Sequence, residues 1–570
     1  MPSICLRRFF AGVLVAALCI PGAGCSGPSS EIADLVLHNG KVVTVDATVP
    51  DGEAVAVRDG RILAVGSDAE MDAFIGSDTE VIDLEGQLAI PGFIDSHVHF
   101  SGIGTSQLQL NLMDVANWDE VVEMVAAAVA EAEPGELITG RGWHQEKWDR
   151  VPEPNVDGLP FHHSLSAVSP ENPVILGHAS GHATYANGLA MGMSGIDAST
   201  PDPQGGEIVR DAQGNPIGVF RERAGRLLEP AQAKARPADP REIMRLADAE
   251  VLSEGITTVH DAGVGFETID LYKEMIDAGE LGVRMNAMIR LPNEELRARF
   301  PEYKTDDYGD HHLRVSTIKI SIDGALGPHG AWLLEPYEDL PSSSGLNTAP
   351  VPDVEEAARI AAEMDLQLAV HAIGDRANRE SLDIMEATFE DFGGVSDRRW
   401  RIEHSQHLHP DDIARFGALG VIPSMQGIHC TSDAPYVLER LGAQRAEEGA
   451  YVWQKLMATE STIPNGTDAP VEDVSALASY YATVSRVLKD GSVFFPDQRM
   501  SRMEALESYT INGAYASFEE DIKGTLTPGK LADITVLSQD ILTIPEGEIP
   551  ATEVVYTIVG GEVKYRRGTN

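Results

Sequence analysis

The sequence predicts an α/β protein: a distorted (β/α)8 barrel of the TIM type, with a subdomain inserted after strand 1 and a small β-sandwich formed by both termini. Three observations lead to this prediction. Eight strand-like runs alternate with helical patterns, about 150 residues separate the first run from the second, and both ends of the chain are rich in short strands. A chain of 570 residues also exceeds what one compact core usually supports, so a large barrel with additions is expected.

The N-terminal part after the first 32 residues alternates apolar and polar residues in short strands, with Asn39-Gly40 and Asp59-Gly60 as hairpin-type turns. The C-terminal runs GKLADITVLSQD and VVYTIVGGEVKY have the same character. Because each end alone is too small for a stable sheet, we expect residues 26–90 and 516–570 to pair into one β-sandwich. Two unrelated β-appendages are the alternative.

The barrel is predicted over residues 91–515. Its strands are expected in the runs GFIDSHVH, GITTVHDAG, RMNAMIRL, VSTIKISIDG, LQLAVHAIGD, RWRIEHSQ, GVIPSMQ and STIPNGTDAP. Helical patterns such as VEEAARIAAEM lie between them, and this alternation indicates a parallel sheet. The gap at about residues 101–250 is far longer than one helix needs and predicts the inserted subdomain.

Residues 1–25 have the layout of a secretory signal peptide: two arginines, an apolar segment over residues 9–20, and small residues ending at Cys25. This layout resembles a bacterial lipoprotein signal. We therefore expect export to the periplasm or cell envelope, with contact to the membrane only through a lipid on Cys25. Ordinary secretion without lipid is the alternative, because Gly22 stands where such signals usually have Leu.

Composition narrows the function classes. The formal charge of −46 argues against nucleic-acid binding, because a phosphate-binding surface needs clustered Lys and Arg. If the signal is removed and Cys25 carries lipid, Cys430 is the remaining cysteine and no internal disulfide can form.

Side chains that can bind a metal end five of the eight predicted strands. His97 and His99 are two residues apart, so in an extended strand they point to the same face. The other four follow at the ends of later strands: Lys319, His371, His404 and Asp468. Reactive groups of such barrels sit at this end, and buried charges are costly unless they are paired or bound to metal. The sequence therefore predicts a divalent metal site, and its imidazole and carboxylate groups suit zinc.

Ten motifs spread over nearly the whole mature chain carry a family resemblance. They are PGFIDSHVHF, GRGWHQEKW, GHATYANGLAM, GGEIVRDAQGNPIGVFRERA, GITTVHDAG, IKISIDGALG, HAIGDRAN, RIEHSQHL, DAPVED and GTLTPGKLADITVL. Together they resemble the amidohydrolase superfamily, and within it the metal-dependent group of YtcJ-like proteins and N-substituted formamide deformylases.

The resemblance implies a site with two divalent ions, most simply zinc. The two histidines of the first strand and Asp468 would bind one ion, and His371 with His404 the second. Lys319 would be carboxylated and bridge the ions, since burial lowers the pKa of a lysine and its neutral amine can take up carbon dioxide. A charge-paired Lys319 beside a single ion is the alternative.

The resemblance also implies roles around the metal. Asp468 would be catalytic, accepting a proton from metal-activated hydroxide and delivering it to the leaving nitrogen, with a role as ligand only as the alternative. His182, Glu222 and His178 in the insert would contact substrate. Residues after two ligand strands would orient the ligands: Asp323, Asp375 and Arg376. The remaining histidines in polar contexts are expected at the surface: His162, His163, His311, His312, His407 and His409.

The predicted function is hydrolysis of a non-peptide carbon–nitrogen bond, in an amide, formamide or cyclic amide of a small molecule. One alternative is an ester or lactone hydrolase or an isomerase, since fold does not fix function. A non-catalytic envelope lipoprotein that binds a metal or a small ligand is the other. Barrel enzymes of this kind often form homo-oligomers, although the sequence carries no interface signature.

Overall fold

A computed structural model describes residues 32–179, 181, 183–204, 206–233, 239–395 and 397–568, without the side chains of Glu146 and Glu222. The predicted signal segment with Cys25, and the predicted substrate residue His182, lie outside the described residues.

Eight parallel strands, numbered β1 to β8 here in chain order, form the barrel in the described part of the chain. Their bounds are Phe93–Val98, Ile256–Val264, Arg284–Ile289, Leu313–Ser321, Gln367–Ala372, Arg401–His404, Ile422–Gln426 and Asn465–Gly466. Each strand pairs in parallel with the next. The Asp468 amide donates to the His97 carbonyl oxygen at 2.8 Å, which nearly closes the barrel between β8 and β1. The predicted parallel barrel and all eight of its strands are confirmed.

Helices between the strands cover the outside of the barrel. The longer ones are Pro240–Ser253, Phe266–Asp277, Asn293–Tyr303, Val351–Glu363, Asp375–Asp391, Pro410–Leu419, His429–Leu441, Ala476–Ser485 and Arg502–Ser508. In the fifth of these, Leu382, Met385 and Phe389 are buried, because a spacing of three and four residues places them on one helix face. That face packs into the main apolar core.

The chain between β1 and β2 folds into a sheet of its own. Its six strands, in spatial order, are Gly206–Arg210, Pro216–Glu222, Ala183–Ala186, Val174–His178, Ile138–Trp143 and Leu110–Asn111. The helices Phe100–Gln107, Trp118–Glu131, His163–Val168 and Gly188–Met193 accompany it. Trp143 and Tyr185 are fully buried in an apolar cluster separate from that of the barrel.

Strands from the two ends of the chain form two further sheets. One sheet holds Leu35–His38, Ala54–Arg58, Arg61–Gly66 and Glu80–Asp83. The other holds Lys41–Val42, Leu88–Pro91, Ile534–Leu537, Val554–Val559 and Glu562–Arg566. Apolar residues of both sheets, among them Val57 and Ile534, form one buried cluster.

Two further features of the described residues bear on the sequence predictions. Cys430 is buried and forms no disulfide. No described helix has both the length and the apolar character needed to cross a membrane.

Candidate metal centre

The ends of β1 and β8 bring three predicted ligands together. Asp468 Oδ1 lies 3.3 Å from His99 Nε2 and 3.6 Å from His97 Nε2. One donor atom from each of these side chains lies within 4.8 Å of the others, a spacing that suits a shared ion. His97 and Asp468 are buried, whereas the His99 side chain is 37% exposed, so one side of this group faces the barrel mouth.

A second group of donors lies on the other side of Asp468. His404 ends β6, and its ring lies 4.4 Å from that of His371 on β5. His429 Nε2 lies 3.7 Å from Asp468 Oδ2, and His404, His429 and Asp468 again have donor atoms within 4.8 Å of one another. The sequence did not predict His429; the histidine that follows SMQG at the end of β7 was the available signal.

The backbone at both groups is unusual. Asp468 has φ +59° and His404 has φ +75°, a left-handed conformation that residues other than glycine seldom adopt. Such conformations cost about 1–3 kcal/mol each and persist where the surrounding structure determines them, most often at functional sites.

Lys319 of β4 lies beside the first group. Its Nζ is 3.5 Å from His97 Nε2, and the side chain is buried. Among the described residues this amine forms no ion pair within 4 Å, but the negative charges of Glu403 and Asp468 act on it and oppose the effect of burial on its pKa. Burial lowers the pKa of Lys319 to about 8.

Glu403, which sequence reasoning missed, orients His97. Its Oε2 lies 2.5 Å from His97 Nδ1, and Arg401 Nε donates to its Oε1 at 2.7 Å. All three side chains are fully buried. Burial acts to raise the pKa of Glu403, but Arg401 and His97 outweigh it and hold the pKa well below its usual range. The ionised carboxylate keeps the proton on Nδ1 of His97, so Nε2 is the ring nitrogen that can bind a metal.

His404 and His371 have polar neighbours of the same kind. Gln426 of β7 places its Oε1 2.7 Å from His404 Nδ1. Because this oxygen accepts the proton of Nδ1, Nε2 is the ring nitrogen of His404 that can bind a metal. Asp323 accepts hydrogen bonds from the Ile373 and Gly374 amides and lies 3.6 Å from His371 Nε2.

The predicted orienting residues Asp375 and Arg376 lie farther from this centre. Asp375 accepts a hydrogen bond from the Leu334 amide at 2.9 Å. The Arg376 guanidinium stacks over the Trp332 ring at 4.9 Å. The described contacts of these two residues are therefore with the segment around residues 332–334 and, for Arg376, with Glu380, rather than with the metal-binding histidines.

The insert reaches the same rim. Arg141 donates to the carbonyl oxygens of Pro470, two residues after Asp468, and of Ala179. His178 is buried behind this point, with Nε2 3.1 Å from Gln145 Oε1 and its ring against Trp143. The structure thus does not bring His178 into the metal-binding group.

The sequence model of the family described as "Amidohydrolase family" matches residues 80–565. The chain belongs to this family. The predicted resemblance is confirmed, and as an amidohydrolase the chain is a metal-dependent hydrolase acting on carbon–nitrogen bonds, as predicted.

Relatives of this amidohydrolase match along nearly their whole length. "Protein LONG AFTER FAR-RED 3" of Arabidopsis thaliana is 35% identical over 94% of this chain and 92% of its own. "Putative amidohydrolase YtcJ" of Bacillus subtilis is 29% identical over 93% and 99% of the two chains. "N-substituted formamide deformylase" of Arthrobacter pascens is 28% identical over 94% and 99%.

A solved structure agrees with the fold of this amidohydrolase. It is described as an uncharacterized metal-dependent hydrolase from Pyrococcus furiosus. The two chains are 27% identical and superpose with a TM-score of 0.70, over 89% of this chain and 100% of the other.

The side chains of the amidohydrolase fit a divalent metal. In the described part of the chain, His371 Nε2, His429 Nε2 and Asp468 Oδ1 are buried atoms without a hydrogen-bond partner. Unpaired buried polar atoms are rare and costly, and two of these residues, His429 and Asp468, belong to one group of potential ligands. A metal would satisfy them, and imidazole with carboxylate is a donor set that divalent zinc accepts.

One sequence prediction is wrong. His407, expected at the surface, is 2% exposed, and its ring lies 5.5 Å from that of Tyr451. Burial lowers the pKa of His407 to about 3, so the ring is neutral. Its polar sequence neighbours suggested that His407 is exposed to solvent. Instead, its amide donates to the Ile373 carbonyl oxygen, which holds the residue in the interior.

Proposed function

We propose that this protein hydrolyses a non-peptide carbon–nitrogen bond of a small molecule, in an amide, formamide or cyclic amide, at a centre of two divalent ions. The arrangement of Asp468 carries the proposal. Its Oδ1 faces His97 and His99, and its Oδ2 faces His429. One carboxylate thus lies between two groups of donors and can serve both.

The proposed ligand sets follow from these contacts. His97, His99 and Asp468 would hold one ion, and His371 with His404 the second, with His429 as an added donor near that position. Zinc suits this mixture of imidazole and carboxylate.

We propose that Lys319 is carboxylated and bridges the ions. Its burial and the lack of an ion pair within 4 Å among the described residues support this role. With a pKa of about 8, a fraction of the amine is neutral near pH 7 and can take up carbon dioxide.

Side chains of the site divide the chemical work. A bound divalent metal supplies a lowered pKa for water and polarises the substrate carbonyl. Asp468 accepts the proton of the attacking water and passes it to the leaving nitrogen, so a carbon–oxygen bond forms, the carbon–nitrogen bond breaks, and a carboxylic acid and an amine leave. Burial acts to raise the pKa of Asp468, but the nearby imidazoles of His99, His97 and His404 hold it well below its usual range.

The insert is proposed to form the substrate wall. Arg141 ties it to Pro470, beside Asp468, which supports a position over the barrel mouth. In this proposal His182, Glu222 and His178 contact the substrate. We also propose that the insert and the paired terminal sheets are separate subdomains.

Metal content and turnover test the proposed reaction. Residues 26–570, purified without chelator, should hold about two divalent ions per chain and hydrolyse amides from a broad panel. Asp468→Asn should lower kcat by about 10²–10⁴. Lys319→Ala should lower metal content and regain it with added short carboxylic acids.

The other outcomes separate the alternatives. One ion per chain and an unchanged Lys319→Ala would contradict the bridge. Faster cleavage of an ester than of its matched amide would favour the esterase. No ion after loading with zinc, or full activity in Asp468→Asn, would overturn the mechanism.

We also propose export with a lipid on Cys25. The proposed partners are small molecules rather than nucleic acid, and the proposed assembly is a homo-oligomer. The charged, apolar and small-residue order of residues 1–25 supports export. Mass spectrometry of the mature protein from a bacterial host should find a diacylglyceryl adduct on an N-terminal Cys25, and Cys25→Ser should lack it. An unmodified N-terminus near this position would indicate plain secretion instead.

A further inference from the structure

Arg290 is a cation at the barrel mouth that the proposed mechanism does not use. It directly follows β3, at the end of the barrel where the metal-binding side chains lie. Its amide donates to the Val264 carbonyl oxygen at 2.9 Å, which fixes the residue against the end of β2.

The strand register sets Arg290 level with Lys319. Ile289 of β3 lies opposite Ile318 of the parallel strand β4, so the next residues on the two strands are Arg290 and Lys319. Residues at the same level of neighbouring strands point to the same side of the sheet. Arg290 therefore starts from the side of β3 on which Lys319 enters the metal centre.

Gly263 makes room for the stem of Arg290. A Cβ at Gly263 would lie 3.1 Å from Arg290 Cδ and 3.3 Å from its Cβ, and Gly263 has φ +136°. The stem thus crosses the end of β2 where a larger residue would crowd it, and the side chain remains exposed at the mouth.

In the described part of the chain the Arg290 guanidinium forms no ion pair and no side-chain hydrogen bond, and burial is the one cause that shifts its pKa, which it lowers. This is notable because 89 acidic residues face only 43 Lys and Arg. Other arginines of the barrel are paired, Arg284 with Asp533 and Arg401 with Glu403.

We propose that Arg290 binds a carboxylate of the substrate, so that the substrates are N-acyl or N-formyl compounds that carry a carboxylate close to the bond to be cleaved. A planar guanidinium offers two parallel N–H groups to a carboxylate, which fixes both position and orientation. Gly263 is a positioning residue for this contact. The inference rests on the proposed hydrolysis, because it names the substrate class of the same site.

Matched substrate pairs test this role on the zinc-loaded protein. The panel consists of N-formyl and N-acetyl amino acids with small and large side chains, each beside its carboxamide, which lacks the charge. The wild type should have a kcat/KM about 10–100-fold higher for the carboxylate member of the preferred pair. Arg290→Gln should raise KM for that member by a similar factor and change kinetics on the carboxamide less than about twofold.

Two further variants complete the design. Arg290→Lys keeps the positive charge but lacks the two parallel N–H groups. It should recover part of the carboxylate affinity that Arg290→Gln loses. Arg299→Gln makes the same charge change on the outer helix Asn293–Tyr303 and should leave the preference intact. Equal kinetics on both members of every pair, or equal losses on both in Arg290→Gln, would overturn the inference.

Failure of the proposed hydrolysis is distinguishable from failure of this inference. If no panel member is cleaved, each becomes a stable ligand whose Kd can be measured by calorimetry on the same zinc-loaded protein. Because zinc itself attracts carboxylates, the readout is the difference between wild type and Arg290→Gln. Tighter carboxylate binding that disappears in Arg290→Gln would support the inference without hydrolysis, and a preference unchanged in the variant, or no binding at all, would overturn it.

Discussion

The Glu403 carboxylate joins two buried groups, the guanidinium of Arg401 and the ring of His97. Glu403→Gln keeps the shape but removes the negative charge, so Arg401 becomes an uncompensated buried cation and Nδ1 of His97 loses its fixed acceptor. We expect the metal affinity to fall about 10–100-fold. The free energy of unfolding should fall by about 3–5 kcal/mol. Competition with a chelator and urea unfolding measure the two effects.

A surface pair provides the control for this experiment. Glu207 and Arg221 form an exposed ion pair on the insert, and such pairs contribute about 0–1 kcal/mol. Glu207→Gln should therefore change neither metal affinity nor stability appreciably. Metal affinity in Glu403→Gln equal to that of the control would contradict the orienting role of Glu403.

Residue by residue, the sequence predicts which side chains meet at the barrel mouth better than it predicts the surroundings of these side chains. His97 and Asp468 stand at strand ends, where position alone indicates function. His429 escapes that rule because it begins a helix beyond β7, and Glu403 escapes it because its partner His97 is 306 residues away. His407 shows the converse error, since polar neighbours in sequence do not report burial in space.

At the level of elements, continuous apolar runs predict the barrel strands because parallel strands are buried on both faces. The shortest strand, Asn465–Gly466, depends on a tertiary contact that no local pattern encodes, the bond from the Asp468 amide to β1. The insert's strand order mixes parallel and antiparallel neighbours among short strands, so its presence follows from length alone while its topology does not.

One helix-to-strand link has a predictable pH dependence. Asp248, on helix Pro240–Ser253, accepts hydrogen bonds from the Gly282 and Val283 amides just before β3. Burial raises the pKa of Asp248 to about 6, so the folded state binds this proton more tightly than the unfolded chain, whose pKa is about 3.9. This contribution to stability is therefore complete below about pH 4 and is lost as the pH rises through about 6.

Asp248→Asn should remove that loss, because the amide oxygen can still accept both hydrogen bonds and carries no charge. Between pH 4 and pH 7 the free energy of unfolding of the variant should gain about 1–3 kcal/mol relative to wild type. Urea unfolding across this range measures the difference. Asp306→Asn is the control, because the Asp306 side chain is exposed where it pairs with Arg314. Parallel curves for wild type and Asp248→Asn would refute the assignment.

For the whole molecule, a buried ion pair fastens the barrel to the sheet built from both ends of the chain. Arg284 at the start of β3 donates to Asp533 at 2.9 Å and 3.2 Å, and the Gly560 amide donates to the same carboxylate. Both side chains are at most 5% exposed. The terminal strands are thus fixed to the barrel floor, opposite the mouth where the metal-binding residues lie.

Asp533→Asn should leave Arg284 buried without its counter-charge and lower the free energy of unfolding by about 3–5 kcal/mol. Because the pair connects sheet and barrel, we expect one cooperative urea transition that tryptophan fluorescence and far-ultraviolet circular dichroism report together. Glu553→Gln, which removes the exposed pair with Arg567 at the edge of the same sheet, should cost less than about 1 kcal/mol. If Asp533→Asn were no more destabilising than this control, or if the two probes gave separate transitions, the terminal sheets would be independent of the barrel. A shared transition that Asp533→Asn shifts would mean that the ends of the chain stabilise the barrel that holds the metal centre.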